Sequence, residues 1–428
     1  MHRIKNIQNI VNGLKSPSSF TTRLTRHTGY TRITTSTSAT MTSSTTTTTS
    51  GPLPSQMKAQ HLTAFNTPYS LSTVPVPQPQ DPNDILIRVS AASYCHTDFV
   101  LASGQMPPNP ASFPHVGCHE FSGVVVSVPP NSTSPFKPGD RLGVPGRSFH
   151  PCGKCFECKR EPTEKDPYVD GGGYSVYCAD TTNNGISGPG GFREYAVVDW
   201  RQCAPVPEGM GMVEAATMMC AGITIYAAIK KCGLERGQRV GIVGAGGGLG
   251  HLGLQFASAI GLRVTGVDAA DKPLALAREI AEGKGKGGVR VVDARAEEAK
   301  AVREQMGKED GKEDFADMGL DAVIILPESQ RAFDNGVALL RNHGKCVLVS
   351  FPAEGFHLNA WDVVFRDISI VGSLVGSNKL LRETLRFAAE HGVRAKTKTF
   401  PLSKLNALVE EYHKGDGGKL VVDMTLSG

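Results

Sequence analysis

Acidic side chains are absent from one end of this chain. Residues 1–56 contain no Asp or Glu, yet they carry Arg3, Lys5, Lys15, Arg23, Arg26 and Arg32. Over residues 2–15, Ile4, Ile7, Val11 and Leu14 share one helical face, and a Ser/Thr-rich segment follows, ending in Thr45 to Thr49. A basic, acid-free, hydroxyl-rich and amphipathic leader is the pattern of a mitochondrial presequence, which makes the mitochondrial matrix the expected location. A disordered tail, or a start at Met41 or Met57 with a cytoplasmic product, is the alternative. Long apolar runs are also missing. The longest mostly apolar stretch, residues 215–229, falls short of the ~20 residues a membrane span needs, so no membrane partner is expected. Beyond the leader, 39 Lys/Arg stand against 41 Asp/Glu, and without a basic excess nothing supports a nucleic-acid partner. Only two tryptophans occur, Trp200 and Trp361, and there are no internal repeats.

What remains, from residue 57 onward, is long enough for two domains. Residues 85–90, 121–128 and 192–198 alternate or run apolar between Pro- and Gly-rich turns, which reads as a mainly β region up to about residue 220. Strands and helices then alternate. Val240, Ile242 and Val243 form a short apolar strand. Gly244, Gly246, Gly247, Gly248, Leu249 and Gly250 follow as a turn, and Leu252, Leu254, Phe256 and Ala257 continue at helical spacing. A second strand, residues 262–268, ends in Asp268. Strand, glycine turn, helix, strand and carboxylate compose a dinucleotide-binding unit. Glycines let the backbone approach a pyrophosphate, and the helix start offers it N–H groups. The turn is one residue longer than the strict G-x-G-x-x-G spacing, and a Gly-rich surface loop is the competing reading. Asp268 would accept hydrogen bonds from ribose hydroxyls and repel a 2′-phosphate, favouring NAD over NADP. Lys272 is the dissenting charge, although it can equally serve a ribose. The segment 283–316 is charged and partly glycine-rich, and its pattern predicts no clear element.

Ten cysteines are present, and Cys152, Cys155 and Cys158 stand at C-x-x-C-x-x-C spacing. Three thiolates so spaced on a Pro/Gly-flanked loop suit one zinc, with Cys178 the nearest fourth ligand and Asp166 or His150 as alternatives. A redox pair or chance thiols are the other reading. A second, scattered set consists of Cys95-His96-Thr97-Asp98, His119-Glu120 and Cys220. Two thiolates and one imidazole leave one metal position open, the arrangement of a catalytic zinc.

These stretches, with residues 368–376 and 418–423, resemble the zinc-dependent alcohol dehydrogenases of the medium-chain dehydrogenase/reductase family, the yeast-type branch above all, in family order from about Met57 to the end. The resemblance implies an α/β protein with a mainly β GroES-like catalytic domain (57–221 and 352–428) and a doubly wound parallel-sheet Rossmann domain (222–351). It implies two zincs, NAD, a small alcohol or aldehyde substrate and a homotetramer. It assigns the catalytic zinc to Cys95, His119 and Cys220, with Glu120 behind it as a further metal-site residue and Asp98 orienting His119. It assigns the structural zinc to Cys152, Cys155, Cys158 and Cys178, the pyrophosphate to His96 and Lys419, and the substrate oxygen to Thr97. A specialised reductase of a bulkier carbonyl compound and an inactive NAD-binding relative are the rival readings. A zinc-free quinone reductase is disfavoured by the intact ligand set.

Four positions depart from the family pattern. Val100 replaces the His that relays the proton. Cys118 replaces a glycine beside His119. Residues 159–177 insert before Cys178. No tryptophan lies near the zinc loops, where residues 105–110 and 146–149 stand instead, so the substrate pocket is expected to be wider than an ethanol site. Arg147 in that stretch could read an acidic or polar substrate, although a solvent-facing side chain is the expectation. For the leader, a reporter fused to the body with residues 1–56 should collect in mitochondria, and without them it should stay in the cytosol. Identical cytosolic signal from both would remove that reading.

Overall fold

The computed structural model describes residues 53–147, 149–164, 166, 168–172, 174–283 and 288–427. Residues 1–52, with the leader helix, lie outside the described residues, but the expected leader boundary at 56/57 shifts: Gln56 opens the strand Gln56–His61 and Ser55 accepts the Val76 N–H at 3.1 Å. Residues 240–243 do form a strand, Arg239–Val243, every residue of it buried. Apolar residues fill it on both faces because helices cover both faces of the sheet. Six strands run parallel in the order Val289–Asp293, Arg263–Asp268, Arg239–Val243, Leu320–Ile325, Leu340–Leu348, Ser369–Gly372. Counted along the chain this is 3-2-1-4-5-6, the doubly wound nucleotide-binding order. The uncertain segment contains the strand Val289–Asp293 and the helix Ala299–Glu309. That strand lies at the sheet edge and is only half-buried, so its apolar run is short. The helix buries just Val302, Arg303, Met306 and Gly307.

The remaining strands make a seven-stranded, mostly antiparallel sheet around the long strand Asp84–Tyr94. Glu120–Ser127, Tyr195–Asp199 and Lys419–Asp423 all pair with it antiparallel. Lys419–Asp423, the last strand among the described residues, therefore lies inside this sheet, between the edge strand Thr397–Phe400 and the long strand.

Two expected domain boundaries shift. Residues 352–428 were expected to belong wholly to the β half, but Ser369–Gly372 extends the parallel sheet beside Leu340–Leu348. The helix Asn378–His391 places Leu380, Leu381, Leu385 and Ala388 in the same apolar core as Ile225 and Phe256. The chain re-enters the antiparallel sheet only at Thr397–Phe400. The physical cause is the amphipathic helix, whose apolar stripe finds its complement on the nucleotide half. The boundary at 221/222 falls inside one continuous helical segment, Met212–Cys232. Its first part packs Ala216 against Ala91 and Val421 of the antiparallel sheet, and its second part buries Ile223 to Ile229 in the nucleotide core. This segment is long and apolar enough to cross a membrane, contrary to the sequence expectation. However, 78% of its apolar stretch lies inside the protein, which is the environment of a core helix.

Candidate active site

Three ligand-bearing segments meet where the long strand ends. Cys95 follows the strand and opens the helix His96–Ala102. Asp98, buried in that helix, accepts the Cys95 N–H at 2.9 Å with Oδ2 and the Cys118 N–H at 2.9 Å with Oδ1. One carboxylate thus ties down both loops. Cys118 holds φ at +76°, the conformation for which the related pattern uses glycine, and Gly190 packs so closely that a Cβ there would stand 2.0 Å from the Cys118 oxygen. Cys220 comes from a π-helical turn, Met218–Gly222, within the apolar helix. Such turns widen the backbone and often accompany functional positions.

The sulfurs of Cys95 and Cys220 and a ring nitrogen of His119 lie within 4.8 Å of one another. Both nitrogens of the buried His119 ring lack a hydrogen-bond partner. An orphaned imidazole beside two thiols fits a zinc ion, whose binding would satisfy it. A hydrogen bond from Cys220 holds the Cys95 thiol well below its ordinary range, and the same contact pushes Cys220 up. Burial opposes charge on His119, but Asp98 and Cys95 hold its pKa well above the usual value. The Asp98 Oδ1 to His119 Nδ1 distance is 3.8 Å, so the carboxylate acts on the ring as a charge rather than through a hydrogen bond. Thr97 Oγ1 stands 3.9 Å from Cys95 Sγ.

Glu120 does not join the donor set. Its Oε1 accepts from Ser93 Oγ at 3.1 Å and from Lys419 Nζ, and its Oε2 faces the Ala221 N–H at 3.3 Å. Lys419 also departs from expectation. Instead of opening toward a pyrophosphate, its buried ammonium donates to Glu120 and to the Tyr94 carbonyl, at 2.9 Å for the latter. An unpaired carboxylate in this interior would be too costly, so the cation is drawn to it. The exposed His96 bonds Tyr412 Oη at 2.7 Å through Nδ1 and lies 3.4 Å from Glu328 Oε1.

At the glycine turn, Gly244 holds φ at +85°, and Cβ atoms on Gly246 and Gly250 would stand 1.9 Å from the Pro273 oxygen and 2.0 Å from the Gly244 oxygen. A Cβ on Gly247 would stand 3.3 Å from the Gly244 oxygen, and one on Gly248 3.3 Å from the Gly418 oxygen and from Lys419 Cδ, so the whole turn is closely packed. Leu249 caps the helix Gly250–Ile260. Asp268 closes the second strand and accepts the Gly246 N–H at 3.0 Å, so the ribose-binding candidate also shapes the turn. Lys272 pairs with Asp416, which answers the dissenting charge. This arrangement of turn and acid fits a dinucleotide without a 2′-phosphate.

The sulfurs of Cys152, Cys155, Cys158 and Cys178 lie within 4.8 Å of one another, and all four are free thiols. The backbone N–H groups of Cys152, Cys155 and Cys158 each approach a neighbouring sulfur at 3.4 Å. Four thiolates cannot crowd together without a cation, so this set too fits zinc. Both alternative ligands are engaged elsewhere: Asp166 accepts from Arg160 at 2.7 Å, and His150 pairs with Asp84 at 2.7 Å. The insertion between Cys158 and Cys178 is anchored by Asp170, which accepts the Asn378 and Lys379 N–H groups at 2.8 and 3.0 Å. Arg147, expected in solvent, is only 4% exposed and donates to Asn378 Oδ1 at 2.9 Å. Its stem crosses the interior to the first turn of a helix far along the chain, a contact that no local pattern reveals. The buried Cys118 thiol is pushed well up by desolvation and points at the Ser93 and Glu120 carbonyls, a packed and unreactive position.

Sequence reasoning missed His251, which directly follows the glycine turn. Buried completely, it shares a hydrogen bond with the Gly247 oxygen at 2.8 Å through Nδ1, and its Nε2 accepts the Lys396 N–H at 3.2 Å. Gln255, one helical turn on, bonds the Arg394 carbonyl at 2.8 Å. Together they stitch the turn to the chain leading into the final strands. A polar pair at i, i+4 on an otherwise apolar helix was the available signal.

The family model for the alcohol dehydrogenase GroES-like domain matches residues 81–208, and that for zinc-binding dehydrogenases matches residues 248–390. An alcohol dehydrogenase of Geobacillus stearothermophilus is 33% identical over 368 residues, covering 86% of this chain and 99% of that protein. Alcohol dehydrogenase 1 of Emericella nidulans is 31% identical over 374 residues, covering 87% and 99%. Among solved structures, the alcohol dehydrogenase of Aeropyrum pernix superposes with a TM-score of 0.71 at 26% identity over 86% of this chain and 99% of that one. A cinnamyl alcohol dehydrogenase of Sorghum bicolor gives 0.70 at 26%, over 87% and 99%.

Burial, with Lys419 nearby, lowers the His251 pKa to about 4. Its folded value lies below the unfolded one of about 6.5, so the unfolded chain binds the extra proton between these limits. The stabilisation is complete above about pH 6.5 and is lost as pH falls toward 4. Denaturant unfolding should show roughly 2 kcal/mol of His251-dependent loss between pH 7 and pH 5. His251→Gln should remove that part of the pH dependence; an unchanged dependence would show the ring is not held neutral.

Proposed function

This chain belongs to the zinc-binding alcohol dehydrogenases, and from that premise we propose that it interconverts an alcohol and its aldehyde or ketone with NAD as hydride carrier. The observation that carries the proposal is the buried, partnerless His119 ring within 4.8 Å of two thiols, in a fold whose other half holds the glycine turn and Asp268. Zinc held by Cys95, His119 and Cys220 would supply Lewis-acid polarisation of the substrate oxygen, and NAD would accept the hydride. The Thr97 hydroxyl, 3.9 Å from Cys95 Sγ, would take the alcohol proton. Val100 has no group that carries a proton, so its side chain would not extend a relay beyond Thr97. Asp98 fixes both ligand loops, while the Glu120–Lys419 pair balances charge behind the thiols. The absence of tryptophan from residues 105–110 and 146–149 favours substrates bulkier than ethanol, and benzyl alcohol is the diagnostic substrate.

Full-length protein should carry two zincs per chain by elemental analysis. Cys220→Ser should lose one zinc together with benzyl alcohol oxidation, a drop of at least ~10²–10³-fold. Cys178→Ser should lose the other zinc and lower thermal stability. Retention of both metals in Cys220→Ser would refute the catalytic assignment.

We further propose that a second copy covers the apolar face of the helix Ala360–Arg366. Trp361, Val364 and Phe365 are 65%, 70% and 63% exposed there, beside the unpaired edge of Ser369–Gly372. A contiguous patch of this kind at a sheet edge marks an association surface. A homotetramer would use this face as one of its contacts, and the mitochondrial matrix remains the location proposed from the leader. Sedimentation of Trp361→Asp should show a smaller assembly than the wild type. An unchanged assembly would exclude this face.

A further inference from the structure

The antiparallel half carries a cavity of about 250 Å³ that neither the metal sites nor the glycine turn uses. Its polar lining is His61, Ser112, His115, Ser187 and Arg193, set among prolines, and none of its lining residues is an Asp or Glu. Arg193 is only 7% exposed. Its Nη2 donates to the Pro189 carbonyl at 3.3 Å, and its buried Nε has no hydrogen-bond partner. Burial alone lowers its pKa, to about 10, so it stays cationic at neutral pH with no carboxylate to offset the charge. A buried cation without a counter-ion costs several kcal/mol, and one facing a cavity is the arrangement that an anion completes.

The neighbours agree. His61 holds Ser72 Oγ at 2.8 Å through Nδ1, and His115 bonds the Gly185 carbonyl at 3.1 Å through Nε2. Both imidazoles have lowered pKa values, first from burial and in part from the Arg193 charge, which places them within its field. The site is built from three segments that also frame the catalytic loop. Leu62 and His115 exchange backbone hydrogen bonds at 2.8 and 2.9 Å, and the Gly190 N–H bonds the Val116 oxygen at 2.8 Å.

We propose that this cavity is a binding site for a small oxyanion of phosphate size, held by the Arg193 guanidinium with His61 and the Ser112 and Ser187 hydroxyls at its walls. The bound anion neutralises Arg193 and clamps the loops of residues 110–116 and 187–193 together. Because those loops pack on the Cys118 backbone, the anion stiffens the mount of His119 without touching the reacting atoms. The site is independent of the reaction proposed above.

The test is calorimetric titration of inorganic phosphate into zinc-loaded, NAD-saturated protein at constant ionic strength in chloride. Saturating NAD closes the pyrophosphate cradle to the probe. One phosphate per chain should bind and raise the thermal midpoint. Arg193→Gln should weaken binding at least tenfold, while NAD affinity is unchanged. Should Arg193→Gln not fold, Ser112→Glu carries the test. Ser112 is exposed at the mouth, and its replacement leaves the guanidinium in place but repels the anion. At least tenfold weaker binding in Ser112→Glu supports the site. No phosphate binding by the wild-type protein, or binding of equal strength in the folded variants, overturns it.

Discussion

The metal-site geometry depends on the pair of hydrogen bonds accepted by Asp98. Its two oxygens hold the backbones of Cys95 and Cys118, which belong to different segments, at 2.9 Å each. Neither segment is regular at that point, so neither has a ladder to fix it. The charge-assisted bonds do so instead, in an interior where their strength is not shared with water. The left-handed Cys118 backbone and the close approach of Gly190 complete the mount. The ligand mount is thus built from the protein's own backbone hydrogen bonds.

The third ligand comes from elsewhere. Cys220 lies on the helical segment Met212–Cys232, which packs on the antiparallel sheet with one part and on the nucleotide core with the other. The π-helical turn at Met218–Gly222 sits where the segment changes its packing partner. An extra residue in that turn lets both parts keep their apolar faces buried while Cys220 leans to the metal position. A single rigid element thereby couples the ligand set to the half that carries the glycine turn.

Much of this architecture is legible in the sequence. The turn at 244–250 announces itself because several of its glycines are required sterically, Gly246 against Pro273 and Gly250 against Gly244. The parallel strands read clearly where both faces are covered, as in Arg239–Val243, and poorly at the edge, as in Val289–Asp293. The ligand trio can be gathered from its residue types and family order, and the structure brings it together. What escapes is everything decided by a distant partner. Lys419 carries the same charge whether it meets a pyrophosphate or Glu120, and only the three-dimensional arrangement reveals the unpaired carboxylate it answers. Arg147 reads as a surface residue until the helix at Asn378 supplies its acceptor. His251 looks like a polar interruption of an apolar helix because its acceptor and donor, Gly247 and Lys396, lie on different parts of the chain.

The position of the last strand has a consequence for biosynthesis. Lys419–Asp423 lies beside the strand that leads to Cys95, and Lys419 supplies the charge that makes Glu120 tolerable in the interior. During translation, Glu120 emerges from the ribosome some three hundred residues before its partner does. The nascent catalytic half must hold this carboxylate in water, or keep it protonated, until Lys419 has been made. Only then can the place beside the long strand be filled and the thiol pair be enclosed. Completion of the metal site thus waits for residues 419–423, and a chain cut before them lacks both the strand and the charge that close it.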